Sequence, residues 1–184
     1  AATSAITFNK RYTVAVAGMG GISVARSMHL FKSNPVPANE VASSLQFPVF
    51  VKPNNGGSSI GMSKVAEPAQ LEAAIAKAFV EDDQVLVEEM IQGREFTIGV
   101  FRKGNEIITL PMTEVISQNY FFDFEAKYLG ESQEITPAAI DAEMTNRIKQ
   151  ITHNVYQILG LKGMCRVDYI LVGKEPHVIE VNTV

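Results

Sequence analysis

The chain has 184 residues, 46% of them hydrophobic, enough to bury one good core or two small ones. Its net charge of -4 comes from 16 basic and 20 acidic side chains that are interspersed, so no basic stripe remains for a nucleic acid or an anionic membrane. One cysteine and three scattered histidines exclude an internal disulfide and argue against zinc, and no apolar run reaches membrane-spanning length. The first ten residues lack a charged segment followed by an apolar one, which leaves a reducing, cytoplasmic setting as the expectation.

In chain order, residues 9–18 fit a short helix capped by Asn9, and the glycines at 18, 20 and 21 fit a turn, since their spacing is not that of a dinucleotide loop. A strand over 22–31 and a short helix over 40–45 follow. Residues 47–62 read FPVFVKPNNGGSSIGM: a β-branched run carrying Lys52, then a loop of glycines, amides and serines, then a returning strand over 61–65. Converging N–H groups, hydroxyls and a nearby ammonium are the parts of a phosphate cradle, although the loop is not a Walker A motif. The competing reading is a plain hairpin tip.

Pro68 opens an amphipathic helix with Leu71, Ala74, Ile75, Ala78 and Phe79 on one face. Strand-like runs at 84–91, 96–103 and 106–113 predict an antiparallel meander, with Gln92-Gly93 as the boundary between a lobe of residues 1–92 and a lobe of residues 93–184. Residues 117–136 are polar and aromatic by turns and are expected to form a mobile lid or binding loop. Thr136-Pro137 is expected to start a helix that runs to Gly160, and two strands over 163–172 and 177–184 close the chain.

Strand alternation puts Arg166 and Asp168 on one face of the penultimate strand, with Cys165, Val167 and Tyr169 on the other, and pairs Glu180 with Asn182 on the last strand. If the hairpin register turns both faces the same way, two carboxylates and an amide oxygen meet beside an arginine, an all-oxygen set suited to Mg²⁺. Otherwise the face is solvated and carries one salt bridge.

Lys10 together with VKPNNGGSSIGM, VEEMIQGRE, EAKY, CRVD and EVNT resembles the ATP-grasp fold, and specifically the D-alanine:D-alanine ligase family, across nearly the whole chain. The resemblance implies an α+β fold of two lobes of antiparallel sheet with helices, with the nucleotide held between them. It implies ATP phosphate contacts from Lys10, Lys52, Gly57, Ser58, Ser59 and Lys127. Glu88 would lie at the adenine hinge, backbone groups of Glu89 and Ile91 would read the base, and Glu95 would hold the ribose. Asp168, Glu180 and Asn182 match ligands of Mg²⁺ or Mn²⁺, and Arg166 the residue that stabilises charge on the intermediates. Tyr128 would close the loop over substrate with Ser58.

The implied reaction is ligation of two D-alanine molecules through an acyl phosphate, for peptidoglycan precursors, with a homodimer as the whole protein's expected state. The family carries a further N-terminal domain and continues past Val184, so the chain is expected to be a piece inactive on its own. The alternatives are another ATP-grasp carboxylate–amine ligase and a nucleotide-binding module without ligase activity.

Overall fold

The computed structural model describes residues 2–117 and 132–183. By residue contacts the chain divides into two units: Ala1–Phe8 with Tyr12–Val24 and Gln92–Val184, and Asn9–Arg11 with Ala25–Ile91. Most of the first 24 residues group with the C-terminal half rather than with the lobe of residues 1–92 expected from the sequence.

The unit built on residues 25–91 contains strands β1 (Ser27–Phe31), β2 (Val49–Pro53), β3 (Ser63–Val65) and β4 (Gln84–Glu89), in sheet order β1-β4-β2-β3. All the pairings are antiparallel. Its α3 (Ala38–Ser44) and α4 (Leu71–Glu81) cover one face. The apolar stripe of α4 is buried at Leu71, Ala74, Ile75 and Ala78, with Phe79 packed at its edge. Pro68 lies in a single 3₁₀ turn (Pro68–Gln70) that leads into this helix. Val49 and Val51 of β2 and Val85 and Val87 of β4 supply the sheet side of this core.

The other unit holds α1 (Ala2–Phe8), most of α2 (Lys10–Met19), and strands β5 (Arg94–Lys103), β6 (Glu106–Thr109), β7 (Thr113–Ser117), β8 (Ser132–Ile135), β9 (Cys165–Val172) and β10 (Glu175–Thr183). Its sheet runs β10-β9-β5-β7-β8, with β6 paired to β5. Helix α5 (Ala142–Ile158) contributes Met144, Ile148, Val155 and Tyr156 to a core with Phe96, Ile98, Val100, Val167 and Tyr169. On that helix Thr152 hydrogen-bonds the Tyr169 hydroxyl at 2.8 Å, which satisfies two buried polar groups at once. Cys165 is buried, and burial pushes its thiol pKa up, which favours the unreactive protonated form.

Several expectations are corrected. The strand over 22–31 shortens to Ser27–Phe31, because Ser23 and Val24 instead bridge to Val178 and the Arg26 carbonyl accepts the Glu89 N–H. The expected meander is divided: β4 pairs with β1 and β2, while β5 pairs with β6, β7 and β9. Helix α5 does not begin at Thr136-Pro137. It starts after Asp141, whose side chain accepts the Met144 N–H at 2.8 Å and so supplies the cap. Of the expected loop, residues 132–135 form β8 against β7, and residues 118–131, which include Lys127 and Tyr128, lie outside the described residues. Among the described residues no helix is long and apolar enough to cross a membrane.

Gly93 shows why the residue just before β5 tolerates no side chain. A Cβ there would sit 2.1 Å from the Leu171 carbonyl oxygen of β9, a backbone atom that cannot move aside without parting the strands. Gly93→Ala is therefore expected to destabilise this unit by about 1–3 kcal/mol or more, the usual cost of overpacking, seen as a lower denaturation midpoint.

Candidate active site

The two units are described in turn. In the sheet of β9 and β10 the decisive detail is a bulge. Tyr169 pairs with Val178, but the next pair is Asp168 with Glu180, so Ile179 is an extra residue. Side chains directly opposite in an antiparallel pair share a face, so Asp168 and Glu180 stand together, as do Arg166 and Asn182. Without the bulge, Ile179 would oppose Asp168 and Glu180 would oppose the buried Val167 instead. Burial follows the same shift: Pro176 and Val178 point to the core before the bulge and Val181 after it.

The predicted quartet is thus brought to one face, and Thr97 of β5 joins it. Asp168 Oδ1 accepts from Thr97 Oγ1 at 2.7 Å and from Arg166 Nε at 2.8 Å. Asp168 Oδ2 accepts from Arg166 Nη2 and Asn182 Nδ2, each at 2.9 Å. The two-point contact with Asp168, against partial burial and with the negative field of Asp168 and Glu180, raises the Arg166 pKa and keeps its charge fixed. Glu95 lies two residues from Thr97 on the same strand face, opposite Ile170. Thr97 was missed in the sequence, although the alternation that places Glu95 also places Thr97.

Among the described residues no group of three or more His, Cys, Asp and Glu side chains could hold a metal. The predicted set has only two acids, and its third member is an amide. Chemically it still fits a hard cation such as Mg²⁺, because Asp168, Glu180 and the Asn182 side-chain oxygen are all oxygen donors. Fit requires Asp168 to give up part of its contact with Arg166 and the Asn182 amide to turn its oxygen inward.

In the other unit Lys52 of β2 reaches Glu88 of β4, Nζ to Oε1 at 2.6 Å, with side-chain exposures of 13% and 6%. Both groups are nearly dry, so each charge depends on the other. Lys52 also lies 5.4 Å from the centre of the Phe50 ring. Lys10, at the start of α2, donates from Nζ to the Gly56 carbonyl at 2.8 Å and so touches the glycine loop. Within that loop Ser58 and Ser59 hold φ values of 53° and 58°, left-handed backbone that costs non-glycine residues energy and tends to persist at ligand sites. Gly57 and Ser58 are exposed, and Ser59 is half-buried. Glu89 spends its N–H on the Arg26 carbonyl, and its carboxylate accepts the Gln46 N–H at 2.8 Å, so that amide hydrogen is not on offer to a base. Ile91 follows β4 without regular structure.

His29 of β1 also belongs to this unit, opposite Leu86 of β4, and its Nδ1 is buried without a hydrogen-bond partner among the described residues. Burial lowers its pKa from 6.5, the Arg11 charge lowers it further, and Glu88 opposes both. A depressed histidine pKa means that stability is full above the unfolded value and is lost as pH falls through the folded one. Between pH 7.5 and 5.5 the denaturation midpoint is therefore expected to drop more for this protein than for its His29→Gln variant.

The family model for the D-ala D-ala ligase C-terminus matches residues 17–184. Similar curated proteins include a D-alanine–D-alanine ligase of Parabacteroides distasonis, 46% identical over 98% of this chain and 55% of that protein. One from Flavobacterium johnsoniae is 43% identical over 98% of this chain and 56% of its own length. The chain thus spans about half the length of the curated relatives it matches. Among solved structures, the VanG D-Ala:D-Ser ligase from Enterococcus faecalis aligns with a TM-score of 0.84 at 34% identity, covering 99% of this chain and 54% of that one. The Bacillus anthracis D-alanine–D-alanine ligase complexed with ATP aligns at 0.82 and 26% identity, covering 99% and 56%. On the family match and these structural likenesses, the chain belongs to the D-alanine–D-alanine ligase C-terminus family and has the ATP-grasp fold.

Proposed function

We propose that this chain is the nucleotide- and metal-handling part of an ATP-dependent D-alanine:D-alanine ligase that makes the dipeptide for peptidoglycan precursors. The observation that carries the reading is the bulged pairing that sets Asp168, Glu180, Asn182 and Arg166 on one sheet face, in a chain of this family.

In the proposed reaction a carboxylate oxygen of one D-alanine attacks the γ-phosphorus of ATP, and the bond to the bridging oxygen breaks to release ADP. The amine of a second D-alanine then attacks the acyl carbon, loses a proton, and phosphate departs to leave the peptide. The obstacle is charge, since two anions must approach. Lys10, Lys52 and the amides around Gly57, Ser58 and Ser59 take the phosphates, and Glu88, Glu89 and Ile91 border the base, with Glu95 on the ribose. Arg166, whose positive charge Asp168 stabilises, offers its guanidinium to the negative oxygens of the acyl phosphate and tetrahedral intermediate. Asp168, Glu180 and Asn182 would hold Mg²⁺ or Mn²⁺, which when bound neutralises phosphate charge. Lys127 and Tyr128 are assigned to γ-phosphate contact and closure over the substrate, Tyr128 acting with Ser58. The reading places the protein in the cytoplasm, as a homodimer of the whole protein.

The test is phosphate release by the whole protein with ATP and either D-alanine, D-serine or D-lactate. Release that depends on D-alanine supports the proposal. A preference for D-serine would instead match the activity named for the Enterococcus neighbour. Bound ATP with no amino-acid-dependent release would leave only a nucleotide-binding module.

A further inference from the structure

We propose that Asp82 is a positioning residue for nucleotide phosphate: its carboxylate fixes the root from which residues 56–62 reach the polyphosphate. The inference rests on the reading of that loop as a phosphate cradle and names the device that holds it in shape.

Asp82 ends α4, with extended backbone and its own N–H still bonded to the Ala78 carbonyl at 3.2 Å. Its Oδ2 accepts the Asn55 N–H at 2.7 Å and the Asn55 side-chain amide at 2.8 Å, and its Oδ1 accepts the Gln84 N–H at 3.0 Å. One carboxylate thus joins the exit of β2 to the start of β4. Burial pushes the carboxyl pKa up, but the hydrogen bonds from Asn55 and Gln84 outweigh this and hold it below its ordinary value, so the group is an anion at neutral pH.

The preceding residue is bolted as firmly. Asn54 is 1% exposed. Its N–H donates to the Gln84 carbonyl at 2.9 Å, its carbonyl accepts the Lys10 N–H at 3.1 Å, and its Oδ1 accepts the Arg11 N–H at 2.8 Å. The returning side of the loop meets the same helix end. Gly61 has φ 69°, and a Cβ there would lie 2.6 Å from Glu81 Cγ and 2.8 Å from Pro53 Cγ. Both roots of the loop are therefore pinned at the last turn of α4, while Gly56, Gly57 and Ser58 between them stay exposed.

A loop fixed at its roots loses less freedom when a ligand orders its tip, and that saving appears as affinity for whatever the tip binds. The saving is specific to phosphate. Adenosine carries the base and ribose without the polyphosphate, so its binding does not draw on the loop.

The experiment titrates the whole protein and its Asp82→Ala, Asn55→Ala and doubly substituted variants with Mg-ATP and, separately, with adenosine. Expected is about a tenfold loss of Mg-ATP affinity in Asp82→Ala with adenosine affinity held within about twofold. Asn55→Ala is expected to show a smaller loss with the same ligand pattern, and the double variant to be no worse than Asp82→Ala, since both changes remove one shared contact. Equal losses for both ligands, or none for either, in Asp82→Ala would overturn the proposal. Should Asp82→Ala fail to fold, Asn55→Ala decides by the same ratio. Absence of Mg-ATP binding by the unaltered protein would overturn the phosphate-cradle reading itself, an outcome distinct from loss of the Asp82 role.

Discussion

Asp168→Asn is expected to cut D-alanine-dependent phosphate release by the whole protein about 10²- to 10³-fold, the usual cost of losing one preorganised electrostatic contact at a reacting centre. The carboxylate accepts four hydrogen bonds, from Thr97, Asn182 and twice from Arg166. An amide of the same shape keeps one oxygen and sets an NH₂ group against the other donors. Arg166 then loses its two-point hold, and the predicted metal set falls from two acids to one. Because the Arg166 side chain is 55% exposed and water can take over its lost contacts, thermal unfolding should shift little. Activity within about threefold of the original would remove Asp168 from the catalytic role.

Lys52→Met is expected to act on stability as well as on nucleotide. It strands Glu88, whose side chain is 6% exposed, without its counter-charge. Breaking a buried pair from one side costs about 3–5 kcal/mol, read from the denaturant midpoint of the unit that contains it. Adding Glu88→Gln should recover most of that loss, because the orphaned charge is gone. Mg-ATP affinity should not recover with it, since the phosphate-directed ammonium is still absent. Recovery of both would show that Lys52 serves only the fold.

Local periodicity made much of this structure legible. The stripe at Leu71, Ala74, Ile75 and Ala78 is the buried face of α4, and the alternation through Arg166 and Asp168 matches the exposed and buried sides of β9. Strand partners were harder, because pairing is decided by distant residues. The expected meander joined β4 to β5, yet their compositions already differed. Val85, Leu86, Val87 and Glu88 are buried in succession on a strand flanked on both sides, whereas β5 alternates. The start of α5 was misread because proline suits a first helical turn, and the cap at Asp141 wins by a hydrogen bond that Thr136 does not make to this helix. At the site, face-sharing by Asp168 and Glu180 could not be read from alternation alone. The step of three from Val178 to Val181 in the buried positions was the visible trace of the bulge.

That one surplus residue makes the tail of the chain depend on backbone shape in a way its composition does not reveal. Removing Ile179 would leave Glu180 opposite Asp168 and Val181 opposite Val167 in a regular ladder, whereas keeping Ile179 and straightening the bulge would send the carboxylate inward and the valine outward. When homologous sequences are aligned, a one-residue gap at 178–180 is therefore compatible with the same carboxylate pairing and marks a strand that reaches it without a bulge.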